Sequence, residues 1–194
     1  MMKINPIKIN GEWEEGFALD VHTLSSEYLG EDECGRKQFD TIRSDIGQLV
    51  YELKYSCNKS KVDDIINLIS PFLKEWNIGE KIDIIIPVPP SKLERAFQPV
   101  FEITDALSNV LGISTHTGVL EKTNRTECKE LSSVEKNKIA GTIQLMKRFT
   151  REVNILLVDD LYQSGTTLKD ATKALKKDSN VKKVYVLTMT KTRR

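Results

Sequence analysis

Apolar positions along the chain change period several times, and each change marks an element. Gly16-Phe17-Ala18-Leu19-Asp20-Val21-His22 reads as an edge strand or hairpin arm, followed by a polar, glycine-containing loop to Arg36. Phe39, Ile42, Ile46, Leu49, Val50 and Leu53 then recur at helical spacing, as do Val62, Ile65, Ile66, Ile69, Leu73 and Trp76. Two amphipathic helices are predicted there, separated at Cys57-Asn58-Lys59-Ser60 and closed by Asn77-Ile78-Gly79. Ile82 to Val88 is a short β-branched run stopped by proline, as in a buried parallel strand. Ile103, Ala106, Leu107, Val110 and Leu111 predict a helix ending at Gly112, and Ile113 to Leu120 a further strand. Glu121 to Lys138 is polar and long, and reads as a mobile lid. Val153 to Val158 is the strongest strand pattern, a helix bearing Leu168, Ala171, Ala174 and Leu175 follows, and Val181 to Met189 predicts a last strand.

Strands alternating with helices predict an α/β fold with a central, mostly parallel sheet flanked by helices. At 194 residues one domain is expected, with residues 1–36 as an N-terminal strand or hood segment and 37–194 as the main body. Lys and Arg total 29 against 28 Asp and Glu, so no global field draws the chain to nucleic acid or anionic lipid. No membrane or direct nucleic-acid partner is expected. No apolar run reaches the ~18–20 residues of a membrane span, and Met1 to Asn10 lacks a secretory core, so a cytoplasmic location is expected. Cys34, Cys57 and Cys128 are widely spaced, which suggests free thiols rather than a disulfide framework or zinc site.

The chemistry concentrates after the strongest strand, in Val158-Asp159-Asp160-Leu161-Tyr162-Gln163-Ser164-Gly165-Thr166-Thr167. In an open parallel sheet ligands bind beyond the carboxyl ends of strands. There Asp159 and Asp160 can accept hydrogen bonds from vicinal hydroxyls, while the N–H groups of Gln163 to Thr167 and the start of the next helix can converge on a phosphate. A capped helix terminus alone would account for Ser164 but not for the two acids before it. The other phosphate-cradling patterns, G-x-G-x-x-G and G-x-x-x-x-G-K-[ST], are absent.

In its order of apolar strand, two acids, spacer, hydroxyl residue, Gly and Thr, this segment resembles the motif with which type I phosphoribosyltransferases bind 5-phosphoribosyl 1-diphosphate (PRPP). The resemblance implies that Asp159 and Asp160 hold the ribose hydroxyls and that Gln163, Ser164, Gly165, Thr166 and Thr167 wrap the 5-phosphate. A second strand end, Pro87-Val88-Pro89-Pro90-Ser91-Lys92 with Arg95 beyond, resembles the Pro-Val-Pro turn of the ComF-like family. Val88, Pro89, Pro90, Ser91 and Lys92 are thereby candidates to grip the diphosphate. Arg95-Ala96-Phe97-Gln98-Pro99 stands where that family has an Arg-Gly-Phe-Asn-Gln-like stretch. In the polar loop Arg125 and Lys129 are candidate cations for a hood over the diphosphate. Cys128 stands three residues before Leu131, where ComF-like chains commonly carry Gln. The Cys-rich zinc module that often opens such chains has no counterpart, nor has a cysteine nucleophile for glutamine hydrolysis.

The likeness extends from about Leu53 to the C-terminus and implies a type I phosphoribosyltransferase with a small N-terminal hood. Its reaction would be transfer of the 5-phosphoribosyl group from Mg²⁺-PRPP to a nitrogen-containing acceptor. Asp159, Asp160, Lys92 and Arg95 would be the catalytic set. Mg²⁺ would arrive on PRPP, with Asp159 and Asp160 as candidate ligands, and a homodimer is usual among relatives. The alternatives are a PRPP sensor that binds without turnover and a competence-related accessory of DNA uptake. His22 and His116 lack metal-ligand spacing and receive no role, while Trp13, Phe17 and Asp20 read as edge-strand packing rather than an acceptor hood.

Overall fold

A computed structural model describes residues 2–55, 58–90, 97–122 and 143–193. Its centre is strand β8 (Val153–Tyr162), whose apolar side chains alternate between two cores. Ile155 and Leu157 point to one face of the sheet, and Leu156 and Val158 to the other. All four are fully buried, each contributing about 1.5–3 kcal/mol by leaving water. A strand apolar on both faces is stable only between two layers, so the sheet is covered on both sides.

Five strands make that sheet in the order β1 (Ile7–Lys8), β2 (Glu15–Ala18), β9 (Val181–Lys191), β8 and β5 (Ile84–Pro87). The pairs β2–β9, β9–β8 and β8–β5 are parallel, and only β1 runs antiparallel. Helices α1 (Asp45–Tyr55), α2 (Ser60–Trp76) and α3 (Pro99–Leu111) pack on one face. Helix α4 (Thr166–Leu175) covers the other, with the antiparallel ribbon of β6 (Leu120–Lys122) and β7 (Ile143–Leu145) beside it. The predicted α/β architecture is the observed one. No described helix is long and apolar enough to cross a membrane.

Three local readings change. Phe39 and Ile42 are not helical: they lie in β4 (Lys37–Arg43), which pairs antiparallel with β3 (Thr23–Glu31) in a separate hairpin. The expected polar loop up to Arg36 is therefore mostly strand. Their three-residue spacing coincides with a helical period, but Phe39 stacks on Tyr28 with ring centres 5.5 Å apart and Ile42 is exposed. The helix starts where Ser44 Oγ accepts the Gly47 N–H at 3.0 Å, an N-cap that the apolar pattern concealed. Between Ile113 and Leu120 there is no full strand; Thr115 makes one parallel bridge to Ile85 before the chain turns into β6. Gly16 to Ala18 belong to β2, a hairpin arm with β1, as one of the two expected readings had it; the strand is not at the sheet edge, because β1 and β9 flank it. Trp13 is buried, donating Nε1–H to the Ile9 carbonyl, and Phe17 packs edge-on against Phe72 and Trp76, so both serve packing as expected.

Candidate functional site

The site arises from unequal strand lengths. Strand β5 pairs with β8 only as far as Pro87 opposite Val158, and the Val88 N–H closes the contact on the Val158 carbonyl at 2.8 Å. Proline cannot continue the ladder, so the chain departs at Pro89-Pro90. Strand β8 runs on, still paired to β9 through Asp159 with Thr188, Leu161 with Thr190 and Tyr162 with Lys191. The acids therefore sit within the strand, on a ledge projecting past β5, and not after its end as expected from sequence. A cavity of about 340 Å³ fills the notch. Its walls are Val88 to Pro90, the start of α3 at Gln98 to Val100, the β8–α4 junction from Asp159 to Gly165 with Thr167 and Leu168, and Lys54 from α1.

Strand alternation sends the two carboxylates opposite ways. Asp160 continues the Leu156–Val158 face and meets α1, where Lys54 Nζ donates to its Oδ2 at 2.7 Å. Asp159 continues the other face, and its Oδ1 accepts the Asp160 N–H at 2.8 Å. Burial and the neighbouring Asp160 carboxylate push the Asp159 carboxyl up to about 7, against the lowering effect of the Asp160 N–H, Lys54 and Lys122. A group poised there can hold or accept a proton near neutral pH.

A further wall is the β8–α4 turn. Gly165 is the N-cap of α4 with φ of +76°, a left-handed conformation open to glycine. A Cβ there would also stand 2.8–3.0 Å from the Tyr162 ring and hydroxyl. Gln163, Ser164 and Thr166 are exposed, and the Ser164 and Thr166 hydroxyls lie 3.0 Å apart. The first N–H groups of a helix lack intrahelical partners, so this turn offers donors together with the positive end of α4.

Of the residues expected from sequence, Asp159, Asp160, Gln163, Ser164, Gly165, Thr167, Val88, Pro89 and Pro90 come together around one cavity, with Thr166 on the same turn. Ser91, Lys92, Arg95, Arg125 and Lys129 lie outside the described residues, as do Cys57 and Cys128. Cys34 is a free, exposed thiol.

Sequence reasoning missed Lys54 and the support behind Asp160. Thr190 Oγ1 donates to the Asp160 carbonyl at 3.1 Å and lies 3.2 Å from His22 Nδ1. With its proton committed to that carbonyl, the Thr190 hydroxyl accepts from His22, which fixes the imidazole with hydrogen on Nδ1. Burial holds His22 below its ordinary value, assisted by Arg43 and Lys54 and opposed by Asp160. Helix α1 comes this close because position 47 is glycine: a Cβ there would lie 2.3 Å from the His22 carbonyl oxygen. Gly47 and Lys54 are seven residues apart, two turns on one helix face. Lys54 lies next to core Leu53, but nothing local marks a partner 106 residues away.

Among the described residues no group of three His, Cys, Asp or Glu side chains could hold a metal ion. The two carboxylates face apart and one is already paired to a lysine, so these donors suit a cation that brings its own phosphate and water ligands better than a protein cage.

No family model matches the chain, and no curated protein matches it in sequence. Solved structures with partial likeness include glutamine PRPP amidotransferase from B. subtilis, complexed with ADP and GMP. It is 18% identical at a TM-score of 0.40, covering 56% of this chain but only 22% of that one. Purine phosphoribosyltransferase from Pyrococcus horikoshii Ot3 is 19% identical at a TM-score of 0.43, over 68% of this chain and 82% of that one. Adenine phosphoribosyltransferase from Saccharomyces cerevisiae is 13% identical at 0.46, over 87% and 84%.

Proposed function

We propose that the notch binds Mg²⁺-PRPP and that the protein is a phosphoribosyltransferase delivering the 5-phosphoribosyl group to a nitrogen nucleophile. The observation that carries this reading is the convergence, on one cavity, of a carboxylate pair and a glycine-started helix N-terminus one short turn apart. A ribose 5-phosphate carries the complementary pair of groups, a diol and a dianion, at the two ends of one small ring. The turn from Gln163 to Thr167 receives the 5-phosphate through N–H groups and hydroxyls, and Asp159 and Asp160 accept hydrogen bonds from the ring hydroxyls.

In the reaction a C1–N bond forms as the C1–O bond to diphosphate breaks, and the nucleophile's N–H proton is released. Carbon 1 gains positive character, so holding the ring and the leaving group in line supplies most of the acceleration. Mg²⁺ bound by PRPP would offset the charge of the departing diphosphate. Asp159, raised to about 7, is matched to accept the proton. The Pro89-Pro90 turn, with Lys92 and Arg95 following it in sequence, is the proposed diphosphate grip.

The test is calorimetric titration of Mg²⁺-PRPP into the wild-type protein and the Asp159→Asn/Asp160→Asn variant, followed by a diphosphate-release screen over amines and nucleobases. Binding lost in the variant, with release in the presence of an acceptor, establishes the transferase. Binding without release for any acceptor converts the reading to a PRPP sensor, and no binding to folded wild-type protein overturns it.

A further inference from the structure

The notch contains a charged residue for which the proposed reaction supplies no role. Lys54 reaches it from α1, and the Lys54 and Asp160 side chains, 29% and 19% exposed, both line the cavity. Their 2.7 Å contact engages Oδ2, while no described residue donates to Oδ1. The backbone of Asp160 is held separately by the Thr190 hydroxyl, itself backed by His22. Main chain and side chain are thus held by separate partners, one from β9 and one from α1, and the remaining carboxylate oxygen is left for a ligand. An aspartate without such a tie rotates about χ1 and χ2, and a hydroxyl binding to it would have to order it first.

We propose that Lys54 is a positioning residue of the sugar subsite, holding the Asp160 carboxylate by one oxygen so that the other meets a ribose hydroxyl. The inference rests on the reading of the notch as a phosphoribosyl site. It assigns Lys54 to the diol and not to the phosphate, because the lysine is bonded to Asp160 and makes no hydrogen bond or ion pair with the Gln163–Thr167 turn. A lysine free to leave Asp160 and pair with the ligand's phosphate would instead strengthen binding of any phosphate.

Two probes separate these roles: ribose 5-phosphate, which carries both diol and phosphate, and inorganic phosphate, which has only the latter. Affinities for each are measured on wild type, Lys54→Met, Lys54→Arg, Asp160→Asn and the Lys54→Met/Asp160→Asn double variant. The expected result is that Lys54→Met weakens ribose 5-phosphate about tenfold, the scale of one charge-assisted hydrogen bond, and leaves inorganic phosphate within about twofold. Lys54→Arg restores most of the sugar affinity, and the double variant is no weaker than Asp160→Asn alone, since both changes remove one unit.

Unchanged ribose 5-phosphate affinity in Lys54→Met overturns the inference while leaving the site intact. Parallel loss of both probes also overturns it, because a lysine that merely braces α1 would damage the whole cavity. A wild-type protein that binds neither probe defeats the underlying reading of the notch. Should Lys54→Met fail to fold, Lys54→Gln, which keeps a neutral chain of good helix propensity, gives the same contrast.

Discussion

The cavity has two walls built in opposite ways. One, from Asp159 to Leu168, is a single continuous stretch in which strand, turn and helix start follow within ten residues. The other is assembled from Lys54 of α1, which lines the cavity, and from Thr190 of β9 and His22 of the segment before β3, which stand behind Asp160 without lining it. The continuous wall carries groups that can touch a ligand, and the assembled wall fixes one of them. A local motif can thus specify chemistry, but the orientation of Asp160 depends on tertiary packing that brings α1 to the sheet edge.

The largest effect expected is on the continuous wall. Replacing both Asp159 and Asp160 with Asn removes two charged acceptors while preserving shape, and PRPP affinity should fall at least ~100-fold, since each charge-assisted bond contributes ~1.5–3 kcal/mol. A fall of less than about tenfold would show that the acids are not the sugar's partners. The assembled wall should break through Gly47→Ala. The added methyl would lie 2.3 Å from the His22 carbonyl oxygen, a backbone atom that cannot swing aside. Helix α1 must then retreat, carrying Lys54 with it. Overpacking of this kind costs ~1–3 kcal/mol of stability, readable in a denaturant titration. An unchanged midpoint would mean that α1 can shift freely, and the contrast between the walls would weaken.

A smaller change returns to the continuous wall at Gly165. Alanine there must adopt φ of +76° and displace the Tyr162 ring, which is a side chain and can move. The expected cost is ~1 kcal/mol of stability from the left-handed backbone, with about a tenfold loss of inorganic phosphate affinity as the turn reshapes. Loss of stability with full phosphate affinity would show that the turn is structural only.

The same contrast explains what could be read in the sequence. Strand β5, the Val153–Val158 part of β8 and helices α2, α3 and α4 announced themselves by continuous apolar runs or helical spacing, because each faces a core. Phe39 and Ile42 misled because the hairpin carrying them is largely exposed, so its apolar residues answer to no buried face. At Ile113 to Leu120 the apolar pattern was satisfied by one bridge and a turn toward the ribbon, which local composition does not distinguish from a strand. The acid pair was legible as a pair, but its split to opposite sides of the sheet follows from β8 continuing to Tyr162. That continuation depends on the partner β9. Lys54 was invisible for the same reason: a lysine in the last turn of an amphipathic helix is ordinarily solvated, and only the fold brings it to Asp160.

The finest test of the comparison uses pH, because burial raises the Asp159 carboxyl. Asp159 is raised from 3.8 to about 7 by burial and by Asp160. Below about pH 4 it is protonated in folded and unfolded chains alike and contributes no difference in stability. Between about 4 and 7 the unfolded chain has released this proton while the folded protein retains it, so stability falls as pH rises through that window. Above 7 the folded carboxylate is charged and the full cost is present. Asp159→Asn removes the titration, so it should melt close to wild type near pH 4 and gain on it steadily to pH 7. From pH 8 the advantage should be constant at ~1–2 kcal/mol once solvent screening is allowed for. A stability difference that is flat from pH 4 to 8 would mean that Asp159 is as well solvated as an ordinary surface acid. It would then lose its claim to the proton of the nucleophile.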